Sequence, residues 1–411
     1  MALDLKGRTW PVEPSENPEF DQGSEHLRNT SRYHHDSFVA EGQMIAMALA
    51  FPGITTPIPA DESAIVSLTM DEMRMVIGGT AVTPGRPLRD GGGAHVFVAL
   101  TRGATGIVHD LGVVPGADAC VSVMTDIERT IYIATSGPDG GRIVRHPAIP
   151  LPFDCFQEWG FSRPGYTELA NPVEGEGIAC AVLDRNASTI YGLSDRTGTL
   201  FAFRIEDSSV EIIGRVDGIQ RFSRTMVQDR DGVIWGTAAA GTLWCFDPDV
   251  GEIQNTGVRI PAAAAREIHN SADALVLDRV TGVIYGSGSS DGFLFALDPD
   301  TQVVRSLGKP SVSQTVRGLA VGNDGRLFGM CGGDDDIGHM FVYSPDDHTM
   351  RDLGVPIALF GAREYGYVFG PSVAGPDGEI FFGQTERVSH LWIYYPAVPQ
   401  RQAASWTGDV Q

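Results

Sequence analysis

One sequence unit recurs seven times between about residue 60 and residue 396. It contains an apolar strand, a turn with Asp or Gly, an aliphatic-aromatic-Gly segment, and then Gly-x-aliphatic-aromatic before a Pro-Asp turn. Two clear copies are TMVQDRDGVIWGTAAAGTLWCFDPDVGEIQNTG, from Thr225, and ALVLDRVTGVIYGSGSSDGFLFALDPDTQVVRSLG, from Ala274. The second-strand positions fall roughly 43 to 59 residues apart, at Ile77, Tyr132, Tyr191, Trp235, Tyr285, Phe328 and Phe381. This period is typical of a fold built from repeated small sheets.

Each unit predicts four antiparallel strands, which we name A to D in chain order. Seven such units predict an all-β fold, a seven-bladed β-propeller. The last copy lacks a fourth strand after Tyr395, and an open sheet edge is unfavourable. The apolar segment QMIAMALAF (43–51) is therefore predicted to close the last blade from the N-terminal side. The predicted organisation is an irregular arm over 1–42, one propeller over 43–398 and a tail over 399–411.

Composition excludes several classes of function. The net charge of −22 disfavours nucleic acid and anionic membranes as partners. The five cysteines form no CxxC motif, so neither a disulfide framework nor a zinc ribbon is indicated. No run of residues predicts a membrane span or a signal segment, so a cytoplasmic location is expected, with secretion as the alternative if a leader was removed.

The acidic chain carries many Arg, His and Tyr residues in the loops that join strand D of one blade to strand A of the next. These loops meet at one face of a propeller, so the residues are predicted to surround one site. Arg binds carboxylates through two parallel N–H groups, and His and Tyr are suited to proton transfer. The predicted catalytic residues are His269, Tyr365 and Arg363. The predicted substrate-binding residues are Arg221, Arg224, Arg266, Asn270, Arg317, Tyr367, Arg163 and Tyr166.

Three histidines, His95, His339 and His390, occupy the same repeat position at the start of strand C. Equivalent positions form a ring around the axis, so a metal site near His339 and its neighbouring aspartates is one interpretation. Histidines hydrogen-bonded within their own blades are the interpretation we favour. No metal ligand is assigned and no cofactor is expected to be required, with a divalent metal kept as an alternative.

The IYG…GxLFxxDP repeats and the closing unit GPDGEIFFGQTERVSHLWIYYP resemble bacterial and fungal seven-bladed propellers that include polysaccharide lyases and related uronate-acting enzymes. The resemblance spans about residues 60–396. It implies that His, Tyr and Arg on one face act on a uronic acid, with or without a metal. No catalytic motif of that family matches residue by residue.

Two functions remain open from the sequence. The first is a lyase that cleaves a glycosidic bond beside a uronic acid by β-elimination, with a uronate-containing oligosaccharide or polysaccharide as partner. The second is a non-catalytic propeller that binds a protein or a small anionic ligand on the same face. A clustered Arg/His/Tyr pocket would favour the first, and a flat apolar rim the second.

Overall fold

A computed structural model describes residues 2–3, 9–10, 33–34, 37–39, 41–49, 58–101, 107–148, 165–216, 225–333, 336–360 and 362–396. The described residues form strands and short 3₁₀ turns, with no α-helix among them. The 3₁₀ turns are Ala60–Glu62, Ala239–Gly241 and Glu267–His269.

The strands form seven antiparallel blades, and the predicted propeller fold is confirmed. Blade 1 contains Ala64–Met70, Val76–Ala81, His95–Leu100 and Ile107–Val113; blade 2 contains Ala119–Thr125, Ile131–Ser136, Ile143–His146 and Thr167–Ala170. Blade 3 contains Ile178–Leu183, Thr189–Ser194, Thr199–Arg204 and Ser209–Arg215; blade 4 contains Val227–Gln228, Ile234–Thr237, Thr242–Asp247 and Glu252–Arg259. Blade 5 contains Ala272–Leu277, Ile284–Gly288, Leu294–Asp298 and Val303–Gly308; blade 6 contains Val316–Val321, Leu327–Gly333, Asp336–Ser344 and Thr349–Phe360. Blade 7 contains Phe369–Ala374, Ile380–Gln384 and His390–Pro396, followed in space by Gly42–Ala48.

The N-terminal strand Gly42–Ala48 is the fourth strand of blade 7, as the sequence predicts. It runs antiparallel to His390–Pro396, with Met47 opposite Leu391. Met47 and Ala46 are fully buried. Because the first and last parts of the chain share one sheet, the ring is closed by backbone hydrogen bonds.

Short segments that precede the closing strand lie on the outer edges of two blades. Tyr33–His34 pairs with the closing strand. Ser37–Val39 pairs with the outer strand of blade 6 at Gly354–Pro356. A further hairpin joins Ala2–Leu3 to Thr9–Trp10, and Ala362–Tyr365 folds back on the end of Thr349–Phe360. The predicted arm, propeller and tail boundaries stay predictions, since residues 397–411 and most of 1–40 lie outside the described residues.

A glycine packed beneath an aromatic ring explains the recurring aliphatic-aromatic-Gly pattern. A Cβ on Gly192 would lie 2.2 Å from the Phe201 ring, and one on Gly286 would lie 2.4 Å from the Phe295 ring. The same pairing occurs at Gly78 with Phe97, Gly236 with Trp244, and Gly329 with Phe341. Only a residue without a side chain lets the ring of strand C cover strand B this closely.

The turns between strands A and B lie on the lower face, opposite the loops of the predicted site. Their first aspartates act as turn residues: Asp71 accepts from the Met75 amide, and Asp229 accepts from the Val233 amide. Arginines link one turn to the next, as where Arg129 Nε lies 3.1 Å from Asp71 Oδ2. These contacts show that the Asp-containing segments between strands A and B, such as DRDG (229–232), are hydrogen-bonded turns.

Candidate functional site

The inner A strands of all seven blades surround a central channel of about 980 Å³. Neighbouring A strands contact one another around most of the axis, including those of blades 7 and 1, where the ring closes. Cavities that bind small molecules typically have volumes of about 300 to 1,000 Å³. The channel is therefore large enough to hold a small ligand.

The channel is polar at its upper mouth and more apolar below. Strand A begins at the upper face and strand B ends there, so Ser136, Asp195 and Ser289, which end or follow B strands, lie at the mouth with Arg317. Leu68, Val123 and Leu275 come later in their A strands and line the deeper part. A ligand at the mouth would meet hydrogen-bonding groups at its edge and apolar surface beneath it.

Several wall hydroxyls already join neighbouring blades. Ser67 Oγ donates to the Cys120 carbonyl at 2.6 Å, and Thr385 Oγ1 donates to the Ile65 carbonyl at 2.6 Å. Ser372 Oγ likewise donates to Leu319 across the blade 6–7 boundary. Since each hydroxyl keeps acceptor capacity, these groups fix the wall and can still accept from a ligand.

Arg317 and Asp273 are paired at the mouth. Arg317 is the second residue of strand A in blade 6, and Asp273 is the second residue of strand A in blade 5. Arg317 Nε lies 3.4 Å from Asp273 Oδ2, which is long for an N–H···O hydrogen bond. The Arg317 side chain is 30% exposed, while that of Asp273 is 6% exposed. Among the described residues that line the channel, Arg317 is the only cation.

Asp195 supplies a second carboxylate on the other side of the mouth. It follows strand B of blade 3, and blades 3 and 6 are three positions apart in a ring of seven. Its Oδ1 accepts from the Gly177 amide at 2.9 Å, and its Oδ2 lies 3.5 Å from Ser136 Oγ. One oxygen thus anchors the side chain, and the other borders the channel.

Blade 5 supplies a pair of hydroxyls beside Asp273. Ser271 Oγ and Ser289 Oγ are 3.0 Å apart, and the Ser289 amide donates to the Ser271 carbonyl. The preceding Asn270 is buried, and its Nδ2 donates to the Pro261 carbonyl at 3.0 Å while its Oδ1 accepts from the Ser290 amide. Asn270, predicted to bind substrate, thus holds the loop that carries the mouth serines.

The structure places His269 and Arg266 on an exposed turn at the rim of the mouth. His269 ends the turn Glu267–His269, two residues before Ser271. Arg266 Nη1 donates to the Ser290 carbonyl at 2.8 Å and to Gln314 Oε1 at 2.9 Å. Arg266 therefore joins two rim loops and does not line the channel.

The predicted tyrosines also lie away from the channel lining. Tyr365 is half-buried at the end of Ala362–Tyr365, and Tyr367 is exposed, with its amide donating to Glu386 Oε1 at 2.6 Å. Tyr166 directly precedes Thr167–Ala170, the fourth strand of blade 2, so the prediction that it lies in a loop between two blades is wrong. Its hydroxyl donates to the Gly112 carbonyl at 3.1 Å, and its ring lies 5.3 Å from that of His146. Arg163, Arg221, Arg224 and the side chain of Arg363 lie outside the described residues.

Of the predicted site residues that the structure describes, Arg317 alone lines the channel. Sequence reasoning missed Asp195, Asp273, Ser136 and Ser289. A signal was present, because Asp195 directly follows strand B and Asp273 is the second residue of strand A, and both positions border the channel in a propeller. Their surroundings in sequence, GLSD and NSAD, look like ordinary turn segments.

The three equivalent histidines have different partners. His95 lies between Glu62 and Asp110, His339 Nδ1 lies 3.0 Å from Asp352 Oδ2, and His390 Nδ1 lies 3.1 Å from Gln384 Oε1. Across the described part of the chain, no three His, Cys, Asp or Glu side chains are grouped in a way that could hold a metal ion.

In that same part, no helix has the length and apolar character needed to cross a bilayer.

No protein-family model matches this sequence, and comparison with curated proteins likewise gives no match. Solved structures do match. The extracellular domain of a one-component system from B. thetaiotaomicron aligns with a TM-score of 0.54 and 12% identity, over 81% of this chain and 39% of that one. The extracellular domain of a hybrid two-component system from the same organism aligns with a TM-score of 0.53 and 10% identity, over 82% of this chain and 40% of that one.

A third solved structure matches over nearly its whole length. A Bacteroides uniformis protein named as a 6-phosphogluconolactonase aligns with a TM-score of 0.53 and 13% identity, over 82% of this chain and 99% of that one. The present chain thus spans about two fifths of the extracellular domains but almost all of this protein. At such low identities the likenesses show the fold, a multi-bladed β-propeller.

Proposed function

We propose that this propeller binds a small anionic sugar, of the uronic-acid class, at the upper mouth of its central channel. The observation that carries the proposal is the placement of Arg317 within a lining of hydroxyls and carboxylates. Its long contact with Asp273 leaves the guanidinium fork only weakly engaged among the described residues. A ligand carboxylate can accept two parallel N–H bonds from such a fork.

The groups around Arg317 suit a polyhydroxylated ligand. Asp195 and Asp273 can only accept hydrogen bonds when ionised, and sugar hydroxyls can donate to them. Ser271 and Ser289 can both donate and accept. The deeper Leu68 and Leu275 offer apolar surface to the C–H groups of a sugar ring. The name of the Bacteroides uniformis neighbour refers to a sugar-acid lactone, which supports this class of ligand.

Isothermal titration calorimetry tests the binding. Glucuronate and short uronate oligosaccharides are titrated into the protein, with glucose and the neutral oligosaccharides as matched controls. The uronates should bind at least about tenfold more tightly, because hydrogen bonds to a charged group contribute roughly 1.5 to 3 kcal/mol. Equal binding of acid and neutral sugars, or no binding of either, contradicts the proposal.

Cleavage by β-elimination is the second candidate function, and the position of His269 favours it. His269 is exposed at the rim, two residues before the channel-lining Ser271. In this reaction a base removes the proton at C5 of the uronate, the C4=C5 double bond forms, the C4–O bond breaks and the leaving oxygen takes a proton. Arg317 would stabilise the charge that develops on the carboxylate, and His269 would serve as the base.

The ultraviolet absorbance of the unsaturated product distinguishes cleavage from binding alone. A rise in absorbance with uronate oligosaccharides, lost in His269→Gln but kept in Arg266→Gln, is the expected result for a lyase. Arg266→Gln is the matched control because Arg266 shares the loop but binds Ser290 and Gln314. Calorimetric binding without any rise in absorbance would identify a non-catalytic binding protein.

A further inference from the structure

A buried histidine of blade 1 lies between two carboxylates. His95 Nε2 is 2.8 Å from Glu62 Oε2, and His95 Nδ1 is 2.8 Å from Asp110 Oδ1. The side chains of His95, Glu62 and Asp110 are 1%, 2% and 10% exposed, respectively. Water therefore cannot replace either contact easily, and each must be satisfied within the protein.

With both carboxylates ionised, this geometry requires a proton on both ring nitrogens. An ionised carboxylate only accepts hydrogen bonds, and a neutral imidazole has a single N–H donor. Neutral His95 would therefore direct a lone pair at a carboxylate oxygen 2.8 Å away. Imidazolium donates to both. Asp110 Oδ1 also accepts from the Gly112 amide at 2.7 Å, which is the bonding expected of an ionised carboxylate.

Arg89 completes the cluster from the long loop between strands B and C of blade 1. Its Nε lies 3.0 Å from Glu62 Oε1, and its Nη2 lies 3.2 Å from Glu62 Oε2, the oxygen that also contacts His95. With His95 protonated, the two cations balance the two carboxylates. Burial by itself lowers the pKa of His95, but the hydrogen bonds and charges of Asp110 and Glu62 outweigh burial and raise it. For Glu62, burial acts in the opposite direction and by itself raises the pKa. The hydrogen bonds and charges of Arg89 and His95 together outweigh burial and lower it.

Glu62 belongs to the segment through which the chain enters blade 1, which we call the seam segment (58–63). This segment follows the closing strand of blade 7 in sequence and touches both blades. The Asp61 carbonyl accepts from the Thr83 amide of blade 1 at 2.7 Å, and the Asp61 carboxylate lies 2.6 Å from Arg387 Nε of blade 7. The Ser389 amide donates to Ser63 Oγ at 3.2 Å. The seam segment thus joins the two ends of the ring.

We propose that Glu62, His95 and Asp110 form a pH-sensitive latch, which holds the seam segment onto blade 1 while His95 is protonated and releases it as the pH rises. The groups that face His95 are Glu62 from the seam segment and Asp110 from strand D. Arg89, from the B–C loop, faces Glu62. The Asp61–Arg387 pair is next along the seam segment but is directed at blade 7.

The direction of the pH effect follows from the protonation states that the folded protein favours, which are protonated His95 and ionised Glu62. His95 stabilises the closed seam fully below its ordinary pKa of 6.5, and this contribution is lost as the pH rises through its raised folded value. Glu62 contributes above its ordinary pKa of 4.5, and this contribution is lost as the pH falls through its lowered folded value. The latch is therefore strongest between these two ordinary values.

The equivalent histidines show that the arrangement is particular to blade 1. His339 has one carboxylate partner, Asp352, and both side chains are more than a third exposed. His390 is buried against the neutral amide of Gln384. Of the three histidines, His95 alone is both buried and in contact with two carboxylates, and its blade is the one that follows the seam segment.

Hydrogen exchange measured by mass spectrometry tests the latch. Peptides covering 58–63 and 83–95 are followed across a pH series, after correction for intrinsic exchange. Their protection should fall by up to about tenfold per pH unit between the ordinary pKa of 6.5 and the raised folded pKa of His95 and should level off above it, whereas a peptide covering 278–284 of blade 5 should not change in parallel. In Glu62→Gln, an amide can donate to the neutral ring, so the fall should disappear. His339→Gln is the matched control and should keep it.

An unchanged pH profile in Glu62→Gln overturns the proposal, as does a parallel loss of protection in blade 5. Nitrogen NMR of the His95 ring in the unaltered protein gives a second measurement that requires no variant. At pH 6.5, the ordinary pKa of a histidine side chain, most His95 rings should carry a proton on both nitrogens. A single protonated nitrogen at that pH would also overturn the proposal.

Discussion

Arg317 of blade 6 reaches Asp273 of blade 5 at the mouth of the central channel, with Arg317 Nε 3.4 Å from Asp273 Oδ2. The pair joins the innermost strands of two blades, and the exposed member is the cation. A contact of this length contributes little as a hydrogen bond, so a ligand carboxylate can compete with Asp273 for the guanidinium. This relationship is the basis of our proposal that the mouth binds an anion although the protein is strongly acidic.

Replacing the two members of the pair should change ligand affinity in opposite directions. Arg317→Gln removes the charged donor and should weaken uronate binding roughly 10- to 100-fold. Asp273→Asn removes the negative charge that competes for the Arg317 guanidinium, while the amide oxygen can still accept from a sugar hydroxyl, so binding should become tighter. Calorimetry with glucuronate measures both, with Arg266→Gln as the control that leaves the affinity unchanged. Equal weakening by all three variants would indicate a structural effect instead.

The closing strand should be essential for folding. Removing residues 1–49 deletes Gly42–Ala48 and exposes the edge of His390–Pro396, so we expect no cooperative unfolding transition. Removing residues 1–40 leaves this strand in place, and the shortened protein should still unfold cooperatively. Thermal unfolding followed by circular dichroism compares the two. A cooperative transition in the protein that lacks residues 1–49 would show that blade 7 is stable with three strands.

Two ion pairs of the lower face should differ in their contribution to stability. Arg129 is 14% exposed and Asp71 is 1% exposed, so Arg129→Ala leaves a buried carboxylate unpaired and should cost about 3 kcal/mol. Arg74 and Asp377 are 41% and 59% exposed, so Arg74→Ala should cost less than about 1 kcal/mol. Denaturant unfolding measures both free energies. Similar values for the two variants would contradict this account of the turns.

The glycines beneath the strand C aromatics should not tolerate even a methyl group. Gly286→Ala places a Cβ 2.4 Å from the Phe295 ring and should destabilise the fold by about 1 to 3 kcal/mol. Gly165→Ala is the control, since a Cβ there meets no atom within 4 Å. Chemical denaturation of both variants provides the comparison. A neutral Gly286→Ala would mean that the ring moves aside without cost.

The sequence predicts the architecture well because each blade repeats the same local rules. The Gly286–Phe295 contact and the Asp229 turn both appear in the sequence as short patterns, and they recur at blade spacing. The closing strand could also be predicted. The last repeat lacks a fourth strand beside His390–Pro396, and the apolar segment over 43–51 belongs to no other repeat.

The site could be predicted only in part, because the direction of a loop side chain is decided by contacts that no short pattern encodes. Arg266 and Arg317 look alike in sequence, yet Arg266 turns to Gln314 while Arg317 lies on an inner strand. His95 shares its repeat position with His339, but its two carboxylate partners come from residues 33 positions before it and 15 after it. Neither difference is visible before the chain is folded.

Diffraction from crystals grown with a uronate tests the central claim most directly. The account predicts ligand density at the upper mouth of the channel, with the carboxylate on the Arg317 guanidinium and hydroxyls near Asp195 or Ser289. Ligand density elsewhere on the protein, or a filled mouth in which the carboxylate points away from Arg317, would contradict it.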